Sequence, residues 1–212
     1  KPSWLTLGCY WRFTRGNALP SFVHGQFPAK ALTRRMIKRQ AKIESDGAIA
    51  SALRTVETEK AGLVALSAAL EGGLYDAFCE AVRLIGDISG RVVITGIGKS
   101  GHIGAKIAAT FASTGTPSFF VHPVEANHGD LGMIARDDVI LAISWSGETA
   151  ELQGIVSYSR RFSIPLIAMT SGERSALARE ADTLLLLPKA QEACPHGLAP
   201  TTSTLMQLAL GD

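Results

Sequence analysis

Two short loops combine glycine and hydroxyl side chains in spacings that suit an anionic ligand. The first, GIGKSG at residues 96–101, follows an apolar run and precedes a helical pattern. The second, SWSGET at residues 144–149, follows another apolar run and holds three hydroxyl side chains and one glycine. Glycine lets the backbone approach an anion closely, and the first amides of a helix attract negative charge. Both loops are therefore candidate phosphate sites.

Each loop has a competing interpretation. GIGKSG also fits the fingerprint of dinucleotide-binding folds, which needs an acidic residue after the second strand for the ribose. That strand is followed by His122 and Pro123, so the nucleotide interpretation is weak. A P-loop is excluded because Val93 occupies the position of its first glycine. In the second loop, one hydroxyl would suffice to cap a helix. Three hydroxyls and a glycine in six residues favour phosphate instead.

The elements that position these loops follow from the apolar pattern. Short runs rich in Val, Ile, Leu and Phe alternate with helical segments, as in strands covered on both faces. We predict an α/β fold with a doubly wound, mainly five-stranded parallel sheet flanked by helices. Ligands of such sheets bind at the carboxyl ends of the strands. The predicted strands span residues 92–95, 118–122, 139–144, 166–170 and 183–187, and the intervening helices 101–114, 149–162 and 174–180.

The N-terminal part of the chain reads differently. Residues 1–35 show no sustained period, hold two of the three tryptophans and lack a methionine, and Met36 follows them. We interpret this atypical segment as flanking rather than native sequence; the alternative is a native arm that packs on a partner. Residues 36–90 are predicted to form N-terminal helices, from Thr33 to about Leu70 and from Leu74 to Ile88, separated by Gly72-Gly73. The apolar stripe of the first helix is Ile43, Ile49, Leu53, Val56, Leu63 and Leu66.

Composition excludes several classes of protein. The net charge is +2, and much of the positive excess falls in residues 30–42, so there is no general case for a nucleic-acid surface. The apolar stretches are too short to span a bilayer and no signal peptide is legible. The three cysteines, Cys9, Cys79 and Cys194, are widely spaced without a CxxC pair. That pattern predicts reduced thiols and a cytoplasmic location.

The two loops together resemble a known family. GIGKSG after the first strand and SxSGxT after the third resemble the SIS (sugar isomerase) domain, whose members bind phosphosugars. Residues 108–133 and 192–212 further resemble the arabinose-5-phosphate isomerases, and the likeness covers about residues 40–212. Residues 91–212 are accordingly interpreted as an SIS domain truncated at its C-terminus. The family pattern continues into a Ser-His-Pro-Gly-Gly-like segment with a catalytic histidine, and often into paired cystathionine-β-synthase-type domains.

The resemblance implies an activity and a set of site residues. The activity is interconversion of D-ribulose 5-phosphate and D-arabinose 5-phosphate through an enediol, which feeds 3-deoxy-octulosonate and hence lipopolysaccharide or capsule synthesis. Moving one proton needs a base and oxyanion stabilisation but no redox cofactor. By position, the catalytic residues are Lys99, Glu151 and Glu192, with Glu148 as an alternative carboxylate. The phosphate contacts are Ser144, Ser146 and Thr149, and Gly98 and Ser100 line the sugar side. Further substrate contacts are Gly115, Thr116, His122, His128 and the turn of Thr201, Thr202 and Ser203.

Some of these roles have simpler alternatives. Glu151 could be only a first-turn helix acid, and Glu192 only a solvent-facing loop residue. His122 and His128 form an H-x5-H pair that is more typical of polar loop histidines than of a metal site. The resemblance implies that His122 contacts an inhibitory zinc ion, for which third and fourth ligands are not identified.

The resemblance also bears on partners. It implies a small sugar phosphate as ligand, no nucleic acid or membrane, and a homo-oligomer, commonly a tetramer with the N-terminal helices at its interfaces. Two alternatives to the enzyme remain. One is a non-catalytic phosphosugar sensor or regulator, although the first 90 residues lack a helix-turn-helix pattern. The other is an inactive fragment.

Overall fold

A computed structural model describes residues 29–212, with side chains from Ser45 onward. The chain divides into two compact units, residues 1–45 and 46–212. The first is described only from Ala29, where a helix begins, so most of the predicted atypical segment 1–35 lies outside the described residues. In the described part, no single helix is long and apolar enough to cross a membrane. One bent helix pair, Ser45–Leu70 with Tyr75–Asp87, passes that test by length and composition alone.

The centre of the fold is a five-stranded sheet in which every pair of neighbouring strands is parallel. The order β2-β1-β3-β4-β5 confirms the predicted doubly wound α/β architecture. The five predicted strands lie within one or two residues of the observed ends. The strands are β1 (Val92–Gly96), β2 (Ser118–Val121), β3 (Val139–Ile143), β4 (Leu166–Thr170) and β5 (Thr183–Leu186).

Helices surround the sheet and begin or end close to the predicted positions. Sequence reasoning did not predict a five-residue helix and a 3₁₀ turn after β2, because such short elements depend on tertiary contacts. The helices are α1 (Ala29–Leu70), α2 (Tyr75–Asp87), α3 (Gly98–Ser113), α4 (Pro123–Asn127), α5 (Gln153–Phe162), α6 (Ala176–Glu180) and α7 (Thr202–Gly211). The 3₁₀ turns are Asp130–Met133 and Ala150–Leu152.

The sheet separates two hydrophobic clusters. In β1, Ile94 packs on the side that includes Ile107 of α3 and Met206 of α7, whereas Val93 packs on the side that includes Ile155 of α5. Side chains of β1, β3 and β4 are buried throughout. Burial on both faces explains why these strands read as continuous apolar runs rather than as alternating patterns.

A buried carboxylate fixes β1 beside β3 at the amino edge of the sheet. Asp138 is 1% exposed and accepts hydrogen bonds from the amides of Arg91 and Ala135, both at 2.8 Å, and from Arg91 Nη2 at 3.0 Å. Burial opposes the charge of Asp138, but the hydrogen bonds from Arg91 and Ala135 outweigh it and lower the pKa of the carboxyl. The two candidate phosphate loops at the opposite edge therefore start from two firmly paired strands.

The predicted apolar stripe of α1 is only partly buried. Leu66 is 4% exposed, but Ile49, Leu53 and Val56 are each more than half exposed. Ile43 lies outside the residues whose side chains are described. The N-terminal half of the predicted stripe is therefore largely exposed, whereas Leu66 near its C-terminal end is buried. Helix α1 ends at Leu70, before Gly72-Gly73, as predicted.

Candidate functional site

The two candidate loops lie side by side at the carboxyl edge of the sheet. Strand β1 pairs with β2 on one side and β3 on the other, so the strand order reverses between β1 and β3. Gly96, the last residue of β1, pairs with Ile143, the last residue of β3. Loops 96–101 and 144–149 thus leave adjacent strand ends at the topological switch point. Ligands of open parallel sheets bind at this point.

The loop after β1 leaves the N-terminus of α3 open. Gly98 has φ +58°, a left-handed conformation that favours glycine, and Ile97 provides no side-chain cap. A Cβ at Gly101 would lie 2.7 Å from the Gly96 carbonyl oxygen, so the turn needs glycine there as well. Lys99 is exposed and forms no ion pair with any described residue. Uncapped amides and an unpaired cation can attract an anion, and Ser100 adds a half-buried hydroxyl.

The loop after β3 is held in shape by its own hydroxyl groups. Ser144 is 4% exposed; its Oγ lies 2.8 Å from Thr149 Oγ1 and accepts from the Gly147 amide at 3.0 Å. Gly147 has φ +70°, and a Cβ there would collide with the Ser175 side chain. The structure therefore brings Ser144 and Thr149, two predicted phosphate contacts, directly together.

The third predicted phosphate contact lies on the outer side of this loop. Ser146 is exposed, and its Oγ accepts from the Glu148 amide at 3.2 Å. Among the described residues, none accepts a hydrogen bond from the amides of Ser146 and Thr149. The Glu148 carboxylate accepts from the Ala176 amide at 3.0 Å and so holds the start of α6. The loop itself thus offers hydroxyls and free amides to an anion.

A carboxylate already occupies the N-terminus of α7. Glu192 Oε2 accepts from the amide and hydroxyl of Thr201 at 2.8 and 2.9 Å, and from the Ser203 amide at 3.3 Å. Burial tends to raise the pKa of Glu192, but the hydrogen bonds from Ser203 and Thr201 outweigh it and lower that pKa. The alternative of an unengaged solvent-facing residue is therefore wrong. Thr201 and Ser203, predicted to contact substrate, donate to Glu192.

The segment after β2 lies close to the segment that carries Glu151. Glu151 is exposed within the 3₁₀ turn after the β3 loop, and its carbonyl accepts from Asn127 Nδ2 at 3.4 Å. His122 and His128 flank α4 and are both exposed. The contact from Asn127, the residue before His128, shows that the predicted carboxylate and one predicted histidine belong to neighbouring segments.

Gly115 and Thr116 lie at the other edge of the sheet. They follow α3 and precede β2, whose first residue, Ser118, pairs with Val92 at the start of β1. Every strand is parallel, so this loop is separated from loops 96–101 and 144–149 by the length of β1. The prediction that Gly115 and Thr116 contact the same ligand is therefore not supported within one chain.

The described residues do not assemble a metal site around His122. No group of three or more His, Cys, Asp or Glu side chains that could hold a metal is found in this part of the chain. Zinc in proteins takes three or four such ligands. The inhibitory zinc at His122 that the resemblance implies therefore stays a prediction.

A cavity of about 580 Å³ adjoins the β3 loop. Its lining includes Ser146 of that loop, Arg174 from the segment after β4 and Lys189 from the segment after β5. Neither basic residue forms an ion pair with a described residue. Sequence reasoning missed both, although basic residues shortly after two buried strands are the signal that could have revealed them. Lys99, Glu151 and Glu192 are not among the residues that line the cavity.

Comparison with known proteins places this geometry in a family context. The model of the SIS domain matches residues 88–212, more than half of the chain. Arabinose 5-phosphate isomerase KdsD of Pseudomonas aeruginosa is 52% identical over 164 residues, which cover 77% of this chain and 49% of that protein. Arabinose 5-phosphate isomerase KpsF of Escherichia coli is 48% identical over the same length and coverage. The chain spans about half the length of the curated relatives it matches.

A solved structure extends the likeness to three dimensions. The protein c3406 of E. coli CFT073, in complex with arabinose 5-phosphate, superimposes with a TM-score of 0.73 and 41% sequence identity. The alignment covers 79% of this chain and 87% of that one. The parallel sheet and its flanking helices are therefore shared with a protein that binds this sugar phosphate.

Proposed function

This chain belongs to the SIS domain family, and from that membership we propose that it forms the sugar-phosphate-binding part of an aldose–ketose isomerase. The proposed reaction interconverts D-ribulose 5-phosphate and D-arabinose 5-phosphate. Two relatives of about 50% identity bear the name of that isomerase, and a related structure contains arabinose 5-phosphate. Because the chain matches only about half of those relatives, the activity is assigned to the protein that contains this domain.

The observation that carries the proposal is the β3 loop at the topological switch point. The loop presents its hydroxyl groups and the unused amides of Ser146 and Thr149. Its one carboxylate, Glu148, accepts a hydrogen bond at the start of α6 and does not occupy these donors. A phosphate group accepts hydrogen bonds from both kinds of donor. The uncapped N-terminus of α3, with Lys99, starts from the adjacent strand. We assign the phosphate to the β3 loop and the sugar to the side facing α3.

The isomerisation moves one proton between C1 and C2 of the open-chain sugar. A base takes the proton from the hydroxyl-bearing carbon next to the carbonyl, the carbonyl oxygen gains negative charge and takes up the proton that the neighbouring hydroxyl oxygen gives up, and the base returns its own proton to the former carbonyl carbon. Carbonyl and hydroxyl exchange positions, so no redox cofactor is needed. Lys99 has no carboxylate partner among described residues and is suited to stabilise the enediolate oxygen.

The two predicted carboxylates differ in their suitability as the base. Glu192 is held by Thr201 and Ser203, and its lowered pKa makes it a weak proton acceptor. The Glu151 side chain is exposed, and no described residue donates to its carboxylate. We therefore assign proton transfer to Glu151 and assign to Glu192 the positioning of the loop that leads into α7.

The assay of this proposal uses the Lys99→Ala variant with a matched control in the same helix. Lys106 is also on α3, but its ammonium group is paired with Asp212. With the chain extended past Asp212, where the family pattern has a further histidine, Lys99→Ala should lose turnover of ribulose 5-phosphate at least a hundredfold. Lys106→Ala should lose less than threefold. Equal losses would remove Lys99 from the catalytic set, and no arabinose 5-phosphate from the wild-type protein would overturn the isomerase.

Ligand binding is tested on the 212-residue chain itself. A protein that binds arabinose 5-phosphate unfolds at a higher temperature when the sugar phosphate is added. Arabinose without phosphate is the control, because the proposal places much of the affinity in the phosphate contacts. A shift without turnover in the extended protein would support the sensor alternative.

The proposal extends to a cytoplasmic homo-oligomer, with the tetramer as the expected state. Its support is the apolar surface on the N-terminal helices: Ile49, Leu53, Val56 and Val64 on α1, and Tyr75 and Val82 on α2, are each more than half exposed. Exposed apolar patches of this kind are typical of protein interfaces. Sedimentation analysis of the wild type and of Leu53→Glu tests it, since a charge at an interface should dissociate the assembly.

A further inference from the structure

Helix α1 contacts the start of α7 at Gly62. Gly62 is buried, and a Cβ built on it would overlap Thr202 Cγ2 and lie 3.1 Å from Met206 Sδ. Thr202 and Met206 are both 0% exposed. Because the Thr202 side chain is completely buried, it has little free space into which it could turn away from a new methyl group. At this point the two helices are too close for any residue larger than glycine.

Thr202 lies in the middle of the turn that holds Glu192. The residues on either side, Thr201 and Ser203, supply the three hydrogen bonds that Glu192 accepts. The Thr202 hydroxyl itself is buried and has no hydrogen-bond partner among the described residues. The contact of the Thr202 side chain with Gly62 is therefore made by its methyl group, and a displacement of this residue would move the donors on both sides.

We propose that the contact between Gly62 and Thr202 sets the position of the turn Thr201–Ser203, and that Gly62 is thereby a positioning residue of the ligand site. The part that concerns the ligand rests on the proposed function. In this view the C-terminal part of α1 belongs to the machinery of the site, because it determines where the Glu192 loop is held relative to α7. The contact lies far in sequence from every glycine of the two phosphate loops.

A second glycine in the same helix supplies the matched control. Gly47 is exposed, and a Cβ built there meets no atom within 4 Å. Gly62→Ala and Gly47→Ala make the same chemical change within α1 and gain the same helix propensity. Any difference between the two variants therefore comes from the collision of the new methyl group at residue 62.

Two measurements on the 212-residue chain decide the proposal. Amide hydrogen exchange at Thr201 and Ser203 should be at least tenfold faster in Gly62→Ala than in Gly47→Ala, because these amides lose their geometry with Glu192. The Kd for arabinose 5-phosphate should be at least tenfold higher in Gly62→Ala than in the wild type, and within twofold of the wild-type value in Gly47→Ala. A merely structural glycine would lower stability without a selective change at these amides.

Rescue variants identify the atom responsible. Thr202→Ser removes Cγ2, so Gly62→Ala combined with Thr202→Ser should regain slow exchange and tight binding. Thr202→Val keeps a methyl group in place, so the same combination with valine should not. If Gly62→Ala alone does not fold, the two double variants are compared by folding instead. The proposal then predicts that the combination with Thr202→Ser folds and that the combination with Thr202→Val does not. Failure of both double variants would overturn the proposal.

The remaining outcomes are also decisive. Equal exchange rates in Gly62→Ala and Gly47→Ala, or a defect relieved equally by serine and valine at residue 202, would refute the contact. Faster exchange with unchanged Kd would refute the positioning role. If the wild-type chain does not bind arabinose 5-phosphate, the proposed function fails, and the exchange rates alone decide whether Gly62 positions the turn.

Discussion

Two loops at the same edge of the sheet use opposite means to hold their shape. Loop 144–149 closes on itself through the Ser144 and Thr149 hydroxyls and contributes no charge to its own interior. The loop that runs from Glu192 to Thr201 closes around a carboxylate that receives three hydrogen bonds. The first can accept an anionic ligand, whereas the helix N-terminus next to the second already has its anion. The difference teaches that hydroxyl-rich turns before helices are not equivalent phosphate sites.

The largest effect is expected from the glycine on which the β3 loop turns. Gly147→Ala places a side chain at positive φ and against Ser175, which should lower the free energy of unfolding by about 2–5 kcal/mol. Gly98→Ala is the control, because its φ is also positive but its Cβ meets no atom within 4 Å, so only about 1–2 kcal/mol is expected. Urea denaturation measures both. Equal losses would show that the loop is not tightly packed.

Removing a hydroxyl from the inside of the β3 loop should have the next largest effect. Ser144→Ala leaves the Thr149 hydroxyl without its partner and leaves the Gly147 amide with only the Ser144 carbonyl oxygen as acceptor, at a cost of about 1–3 kcal/mol. Ser146→Ala, on the exposed side, should change stability by less than about 0.5 kcal/mol. Both variants should weaken binding of arabinose 5-phosphate. An equal loss of stability in Ser146→Ala and Ser144→Ala would contradict the placement of Ser144 inside the loop and of Ser146 on its exposed side.

Removing the Glu192 carboxylate, which holds the start of α7, tests the second of the two loops. Glu192→Ala should cost about 1 kcal/mol, the usual effect of losing an N-terminal helix cap. It should also open the helix end to anions, so that added sulfate stabilises this variant more than the wild type. Glu151→Ala, with an exposed side chain, serves as control and should show no extra response to sulfate. An identical sulfate response in all three proteins would contradict the account of α7.

The smallest effect concerns pH. The pKa of Glu192 is lower in the folded chain than its ordinary value of about 4.3, so the unfolded chain binds more protons in the acidic range. Its stabilising contribution is therefore present above pH of about 4.3 and is lost as pH falls through the folded pKa. The stability difference between the wild type and Glu192→Gln should shrink on acidification in that range. Asp138 and Asp182, whose pKa values are also lowered, cancel in the comparison. A pH-independent difference would contradict the assignment.

The sequence predicted the sheet well because burial on both faces leaves a simple pattern. β1, β3 and β4 are buried throughout and appear as uninterrupted apolar runs. The burial of α1 was not predictable in the same way, since Ile49 and Leu66 fit one stripe yet differ greatly in exposure. Only the arrangement of the other elements determines which part of a long helix is covered.

The site shows the same division between local and long-range information. The turn in loop 144–149 is encoded within six residues, so its position was predictable, but the sequence analysis assigned its hydroxyls to phosphate and did not predict the hydrogen bonds within the loop. The bonds between Glu192 and Thr201 join positions nine residues apart in an irregular segment, which no periodicity reveals. Gly115 and Thr116 are instructive in another way. The predicted order of strand and helix places them at the amino edge of the sheet, whereas the family resemblance implies a substrate contact at the carboxyl edge.

The most direct test of the account is a crystal structure of the chain with arabinose 5-phosphate. We expect the phosphate within hydrogen-bond distance of Ser144, Ser146 or Thr149, with Glu192 still bound to the amides of Thr201 and Ser203. A phosphate bound to the Thr201 and Ser203 amides in place of Glu192 would contradict the central claim that the two loops have separate roles.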